Sequence, residues 1–260
     1  MKRLRPFAFF LGALFLAPSP ARSWPADLSQ RIAKDALRLL PQSLAETFRA
    51  HELEIFADGR TSKVKVLPLL YADLPRGRLA PATRAELDRE LAQRVKELHG
   101  SDFRAAVIAL GASYRLAVDL ADPAVGEGLG SDPKARAIRR EFYAFVTANL
   151  DKIPVVVVSP DSMRLGLERL PAFLDEVIGK TPAQSILLRE EAQEEGRVLR
   201  AGEIDFRSPV FAVASTAYSR SVNAVAATWI AVWRKAGGDM QRQKPPRLIK
   251  PRPTSIRQDE

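Results

Sequence analysis

Chemistry in this chain would have to come from few residues. There is no cysteine, and only two histidines occur in 260 residues, His51 and His99. His51-Glu52 opens like a zinc-protease helix, but Ile55 stands where the second histidine must be, so HExxH fails. His99 sits beside Gly100 at the end of a charged segment, where an exposed helix C-cap is the ordinary role. Gly111-Ala-Ser113-Tyr-Arg115 begins like a nucleophile elbow, yet Arg115 replaces the final glycine and no strand precedes it. A Ser-His or Cys-His nucleophile is therefore not expected. Gly126, Gly128 and Gly130 do not fit GxGxxG and follow no strand, so no phosphate cradle is expected either.

The polar groups that still need a reason lie in Phe103–Asp122, the most apolar stretch after the amino-terminal region. At helical spacing Arg104, Gly111, Arg115, Asp119 and Asp122 share one stripe, with Ala, Leu, Val, Ile and Tyr on the other faces. The pattern predicts one continuous buried helix from about 102 to 122, with neighbouring helices around it. Arg115 and Asp119 would then sit one turn apart and point inward. Such a pair is an active site, the remains of one, or a structural ion pair.

The elements around it read as helices. Asp27 or Ser29 can cap a helix to Leu40, ended by Pro41, and a second runs from Ser43 to Phe56. Residues 58–81 carry Gly59, Pro68, Pro75, Gly77 and Pro81 and read as a long ordered loop. Further helices are predicted over Thr83–His99, Asp132–Leu150, from Ser159 or Asp161 to Gly179 with a bend near Pro171, Ala183–Leu199 and Pro209–Lys235. Ile153-Pro-Val-Val-Val-Val is a strand by composition but has no evident partner. The expected fold class is all-α, a multi-helix bundle.

The ends are read separately. Lys2, Arg3 and Arg5, the apolar run Phe7–Ala17 and Ala21-Arg22-Ser23 form a secretory signal over 1–23, so cleavage makes Trp24 the new amino terminus and the protein periplasmic or secreted. An uncleaved membrane anchor is the alternative. Of the net charge of +9, four charges belong to the signal and four more to residues 241–260, leaving the body near +1. The high isoelectric point thus gives no reason to expect specific nucleic-acid binding. The Pro-rich basic tail, 239–260, has little to bury and is expected to be disordered. It could touch an anionic envelope component.

Over residues 24–237 the chain resembles the zinc-dependent phospholipase C / P1 nuclease superfamily. Those proteins are exported and mainly helical, with a mature amino-terminal Trp whose amino and carbonyl groups bind zinc; Trp24 matches it. A family histidine shortly after corresponds to Ser29, ahead of Ile32 and Ala36-Leu37. The family's Gly-x-Ser-x-His-x-x-x-Asp-x-x-x-Pro-x-His is here Gly111, Ser113, Arg115, Asp119, Pro123 and Val125, so both histidines are replaced. A family aspartate corresponds to Asp58, and His-aromatic-x-Asp to Leu70-Tyr71-Ala72-Asp73. Arg139-Arg140-Glu141-Phe142-Tyr143 stands for a His-x-x-x-Glu helix, and Ser221-Val to Trp233 resembles the closing helix.

The resemblance implies a site built for zinc, and the replacements imply its loss. Imidazole and carboxylate are the usual ligands, and Leu70 and Val125 offer no lone pair. The expectation is a non-catalytic binding or structural module without a cofactor, in which Arg115 pairs with Asp119 where a dication would have been. The alternative at that point is that both side chains reach a solvated groove. A phosphate-bearing ligand could be held by Arg115, Arg139 or Arg140. A second reading is a phosphoester hydrolase holding zinc, manganese or magnesium at Trp24, Asp58, Asp119 and Glu141. A third is an unrelated helical domain, in which Trp24 would lie far from Asp119.

Overall fold

In the order of the chain, α1 (Ala26–Ala36) runs into a 3-10 turn (Leu37–Leu39), and α2 (Gln42–Ala50) and α3 (Glu52–Thr61) follow at a break near His51. Next come α4 (Leu67–Asp73), α5 (Pro81–Leu98), α6 (Phe103–Ala112), α7 (Pro133–Ala148), α8 (Leu170–Gly179), α9 (Thr181–Glu194) and α10 (Pro209–Lys235). The computed structural model describes residues 24–61, 65–126, 133–157, 165–194, 205–241 and 248–249, and 75% of them are helical. No helix among the described residues is long and apolar enough to cross a membrane.

The centre of the fold is α10. Every residue from Ala217 to Trp233 is buried, so this helix is enclosed on all sides. It packs on α1, α5, α8, α9 and the 3-10 turn Ser113–Leu116. Ser208 caps it, its hydroxyl accepting from Phe211 N (3.2 Å), and Pro209 fits its first turn because that turn needs no N–H from it. Arg234 and Lys235 close its carbonyl end, where cations are favoured. One apolar core joins Trp24 at the start of α1 to Trp233 at the end of α10.

The segment Phe103–Asp122 is not one helix. Helix α6 stops at Ala112, Ser113–Leu116 form a 3-10 turn, and 117–122 are turns without regular structure. A buried apolar run in water-free surroundings needs only that its backbone groups be satisfied, and here they are. Val118 N reaches Tyr114 O (2.9 Å) and Asp122 N reaches Asp119 O (3.2 Å). From α9, Thr181 Oγ1 donates to Leu120 O (2.8 Å) and Ser185 Oγ donates to Pro123 O (2.5 Å). Arg115 and Asp119 are therefore not one α-helical turn apart, and the bundle surrounds α10 rather than this segment.

Other expectations are also corrected. The loop expected over 58–81 contains the end of α3, then α4 and a 3-10 turn (Leu74–Arg76), whose prolines sit at helix starts. Helix α1 is preceded by Pro25, and Ser29 lies inside it, its hydroxyl donating to Trp24 O (3.1 Å) rather than capping. Pro171 begins α8 instead of bending it. The valine run does form a strand, β1 (Val155–Val156), whose antiparallel partner is β2 (Leu248–Ile249). The tail's first residues are docked too, Trp233 Nε1 donating to Asp239 O (3.0 Å) and Gln42 N to Gln241 O (3.2 Å). The expected signal, residues 1–23, and most of 242–260 lie outside the described residues.

Candidate functional site

Three buried acceptors, each met by a side-chain hydroxyl, define the candidate site. Asp122 is wholly buried; its Oδ2 accepts from Tyr143 of α7 (2.7 Å) and its Oδ1 from Ala124 N (2.8 Å), which starts the 3-10 turn Pro123–Val125. Asp119, also buried, accepts from the Tyr71 hydroxyl of α4 (2.8 Å). The carbonyl of Trp24 accepts from Ser29. The Trp24 indole donates to Ser221 Oγ on α10 (3.2 Å) and lies 5.7 Å from the Tyr143 ring and 6.0 Å from Phe142.

Electrostatics couples these groups. Burial, then the Asp122 charge and its hydrogen bond, holds the Tyr143 phenol well above the usual tyrosine range; Arg139 opposes and Asp119 adds to the rise. Tyr71 is raised by burial first and by Asp119 next, with the Arg115 guanidinium pulling the other way. Both phenols are consequently neutral donors to carboxylates at ordinary pH. Trp24, Ser29, Tyr71, Arg115, Asp119, Asp122, Arg139, Tyr143 and Ser221 thus belong to one neighbourhood.

Not every expected position joins it. Leu70 is buried in the apolar core and Val125 packs against that core. Asp73, in the same tetrapeptide as Leu70, is buried elsewhere: it accepts from Ala80 N (2.7 Å) and fixes the approach to α5. Glu141 accepts from Nε and Nη2 of the exposed Arg140 (3.1 and 3.0 Å). Asp58 lies in α3, its side chain outside the described residues. Ser113 Oγ donates to Leu110 O (2.6 Å) and is buried, so it is no nucleophile. Gly111 has a packing reason, since a Cβ there would meet Ile55 Cδ1 at 2.6 Å. His51 faces Glu54 (3.2 Å), which also takes Arg104 (2.8 Å), in a surface cluster between α3 and α6.

The hydroxyl donors Tyr71 and Tyr143 are what residue-by-residue reasoning missed, while Asp122 already lies in the polar stripe. Both tyrosines stand within the segments already singled out, but nothing local says which carboxylate a phenol will meet. The site has two buried carboxylates, two raised phenols and two arginines, with no imidazole. Among the described residues no group of three or more His, Cys, Asp or Glu side chains is placed to hold a metal ion.

No protein-family model matches the chain, and comparisons with curated proteins and with solved structures find no match.

Proposed function

We propose that this is an exported, non-catalytic member of the phospholipase C / P1 nuclease-like fold, acting as a binding or structural module. The observation that carries the proposal is that hydroxyl donors meet the Trp24 carbonyl and Asp119 Oδ2, two acceptors at positions aligned with the zinc ligands. Ser29 donates to the Trp24 carbonyl and Tyr71 donates to Asp119, while Tyr143 spans from the Trp24 ring to Asp122. These acceptors take hydroxyl hydrogens, which lowers the cost of burying them. The proximity of Trp24 to Asp119 and Asp122 through Tyr143 favours this over an unrelated helical domain. The donor set does not fit zinc, because Leu70, Val125 and the Arg115 guanidinium supply no lone pair and the Ser29 hydroxyl is already engaged.

Within this reading Arg115 and Arg139 are the residues to hold a phosphate-bearing ligand beside the buried carboxylates; Arg140, exposed and paired with Glu141, is less suited. The test is hydrolysis of phosphodiester and phospholipid substrates by the mature chain supplied with zinc, manganese or magnesium. No turnover above an Asp119→Asn control is expected. Metal-dependent turnover that Asp119→Asn abolishes would establish the phosphoester hydrolase instead.

A further inference from the structure

A cavity of about 260 Å³ lies between α1 and the junction of α2 with α3. Its walls carry Arg31, Lys34, Arg38 and Arg49 against only Asp35 and Glu52. Asp35 is the floor: it is buried, and Tyr218 of α10 donates to its Oδ2 at 2.8 Å. The floor carboxylate draws in Arg31 (3.5 Å) and Arg38 (3.8 Å) from either side. Lys34 and Glu52 (2.8 Å) neutralise each other across the rim. Arg49, exposed in the last turn of α2, makes no ion pair among the described residues.

The cavity therefore carries an excess of two positive charges, with guanidinium donors on at least two walls. Its volume is just under the ~300 Å³ at which sites for drug-sized ligands begin. That excludes a dinucleotide and suits a small, doubly charged group. We propose that this cavity is a binding site for a phosphate monoester or free phosphate, held by Arg31, Arg38 and Arg49 over the Asp35 floor. Guanidinium is the side chain that best matches tetrahedral oxyanions, and the buried Tyr218–Asp35 bond pre-sets two of the three arginines. The site is separate from the Arg115–Asp119 neighbourhood and does not depend on what that neighbourhood does.

The experiment is calorimetric titration of the mature chain with inorganic phosphate and with glycerol phosphate, beside flotation with phosphatidylcholine vesicles containing phosphatidic acid. One equivalent of either soluble ligand should bind. Arg49→Gln, which removes an exposed side chain without a described partner, should weaken binding about tenfold or more with an unchanged melting temperature. Arg31→Gln should also weaken binding, and Arg89→Gln, an exposed arginine of α5 outside both sites, should not. Flotation lost in Arg49→Gln would assign the ligand to a lipid headgroup, and soluble binding without flotation would assign it to a free phosphate. Absence of binding by all three probes, or equal weakening in Arg89→Gln, would overturn the proposal.

Discussion

Replacing Tyr143 with Phe removes one oxygen and tests whether hydroxyl donors have taken over the buried carboxylates. The ring, and with it the contact to Trp24 at 5.7 Å, is kept. What is lost is the 2.7 Å bond to Asp122, a carboxylate with no exposure to water that could replace the donor. A hydrogen bond to a charged group is worth roughly 1.5–3 kcal/mol, and a buried acceptor left short of a donor puts the cost near the middle of that range, ~2 kcal/mol. For a chain of this size about 2–4 °C accompany each kcal/mol, so the melting temperature should fall by about 4–8 °C. Differential scanning calorimetry reads this directly. Asp122→Asn, which removes the buried charge, should cost less in the Tyr143→Phe background than in the wild type, because the two groups act on one bond. A fall of less than about 1 °C for Tyr143→Phe, or strict additivity of the pair, would refute the reasoning.

The remaining expectations concern other buried polar groups. Tyr71, Tyr143 and Tyr218 all have raised phenol pKa values, the last from burial and then from Asp35, so the stability they contribute is complete below the unfolded value of about 10 and is lost as pH rises above it. Tyrosinate absorbance of the folded protein should accordingly show no more than one of the four tyrosines ionising near pH ~10; normal titration of all four without unfolding would contradict the geometry. Arg220 of α10 is buried, donates from Nη2 to Gln184 Oε1, and has Nε and Nη1 without a hydrogen bond among the described residues. Desolvation brings its pKa down to about 10, so its charge is a cost to the fold at neutral pH. Arg220→Met should leave the melting temperature unchanged or raise it, as for other buried charges replaced by apolar groups of similar size. A large fall would show that Arg220 is held by an interaction the present account lacks.

How much of this was legible depends on where each residue's partner lies. Helix α10 can be read from Pro209 to Lys235 because its cap, its proline and its terminal cations are local. The same is true of α5, whose Arg94 meets Glu90 and Glu97 within its own helix. The end of α6 at Ala112 is not local. Apolar content and 3.6-residue spacing are alike for a buried helix and for buried turns, and what makes 113–122 tolerable as turns is Thr181 and Ser185, over sixty positions away. Pairing of the valine strand with Leu248–Ile249 escapes inspection for the same reason, nearly a hundred residues separating the two. In the candidate site, Arg115 and Asp119 could be named from their types and spacing, and Trp24, Ser29 and Arg139 only through the resemblance. Their satisfaction by Tyr71 and Tyr143 could not, since a phenol's choice of acceptor is set by how α4 and α7 pack.

The proposal of a metal-free module stands on the hydroxyl donors that meet the Trp24 carbonyl and Asp119 Oδ2. The most direct test is elemental analysis of the purified mature chain, with Trp24 verified as its amino terminus, before and after incubation with zinc and with manganese. The prediction is no stoichiometric metal in either state. One or more equivalents of metal retained after dialysis, and lost in Asp119→Asn, would contradict it and mark the Trp24–Asp119 neighbourhood as a working metal centre.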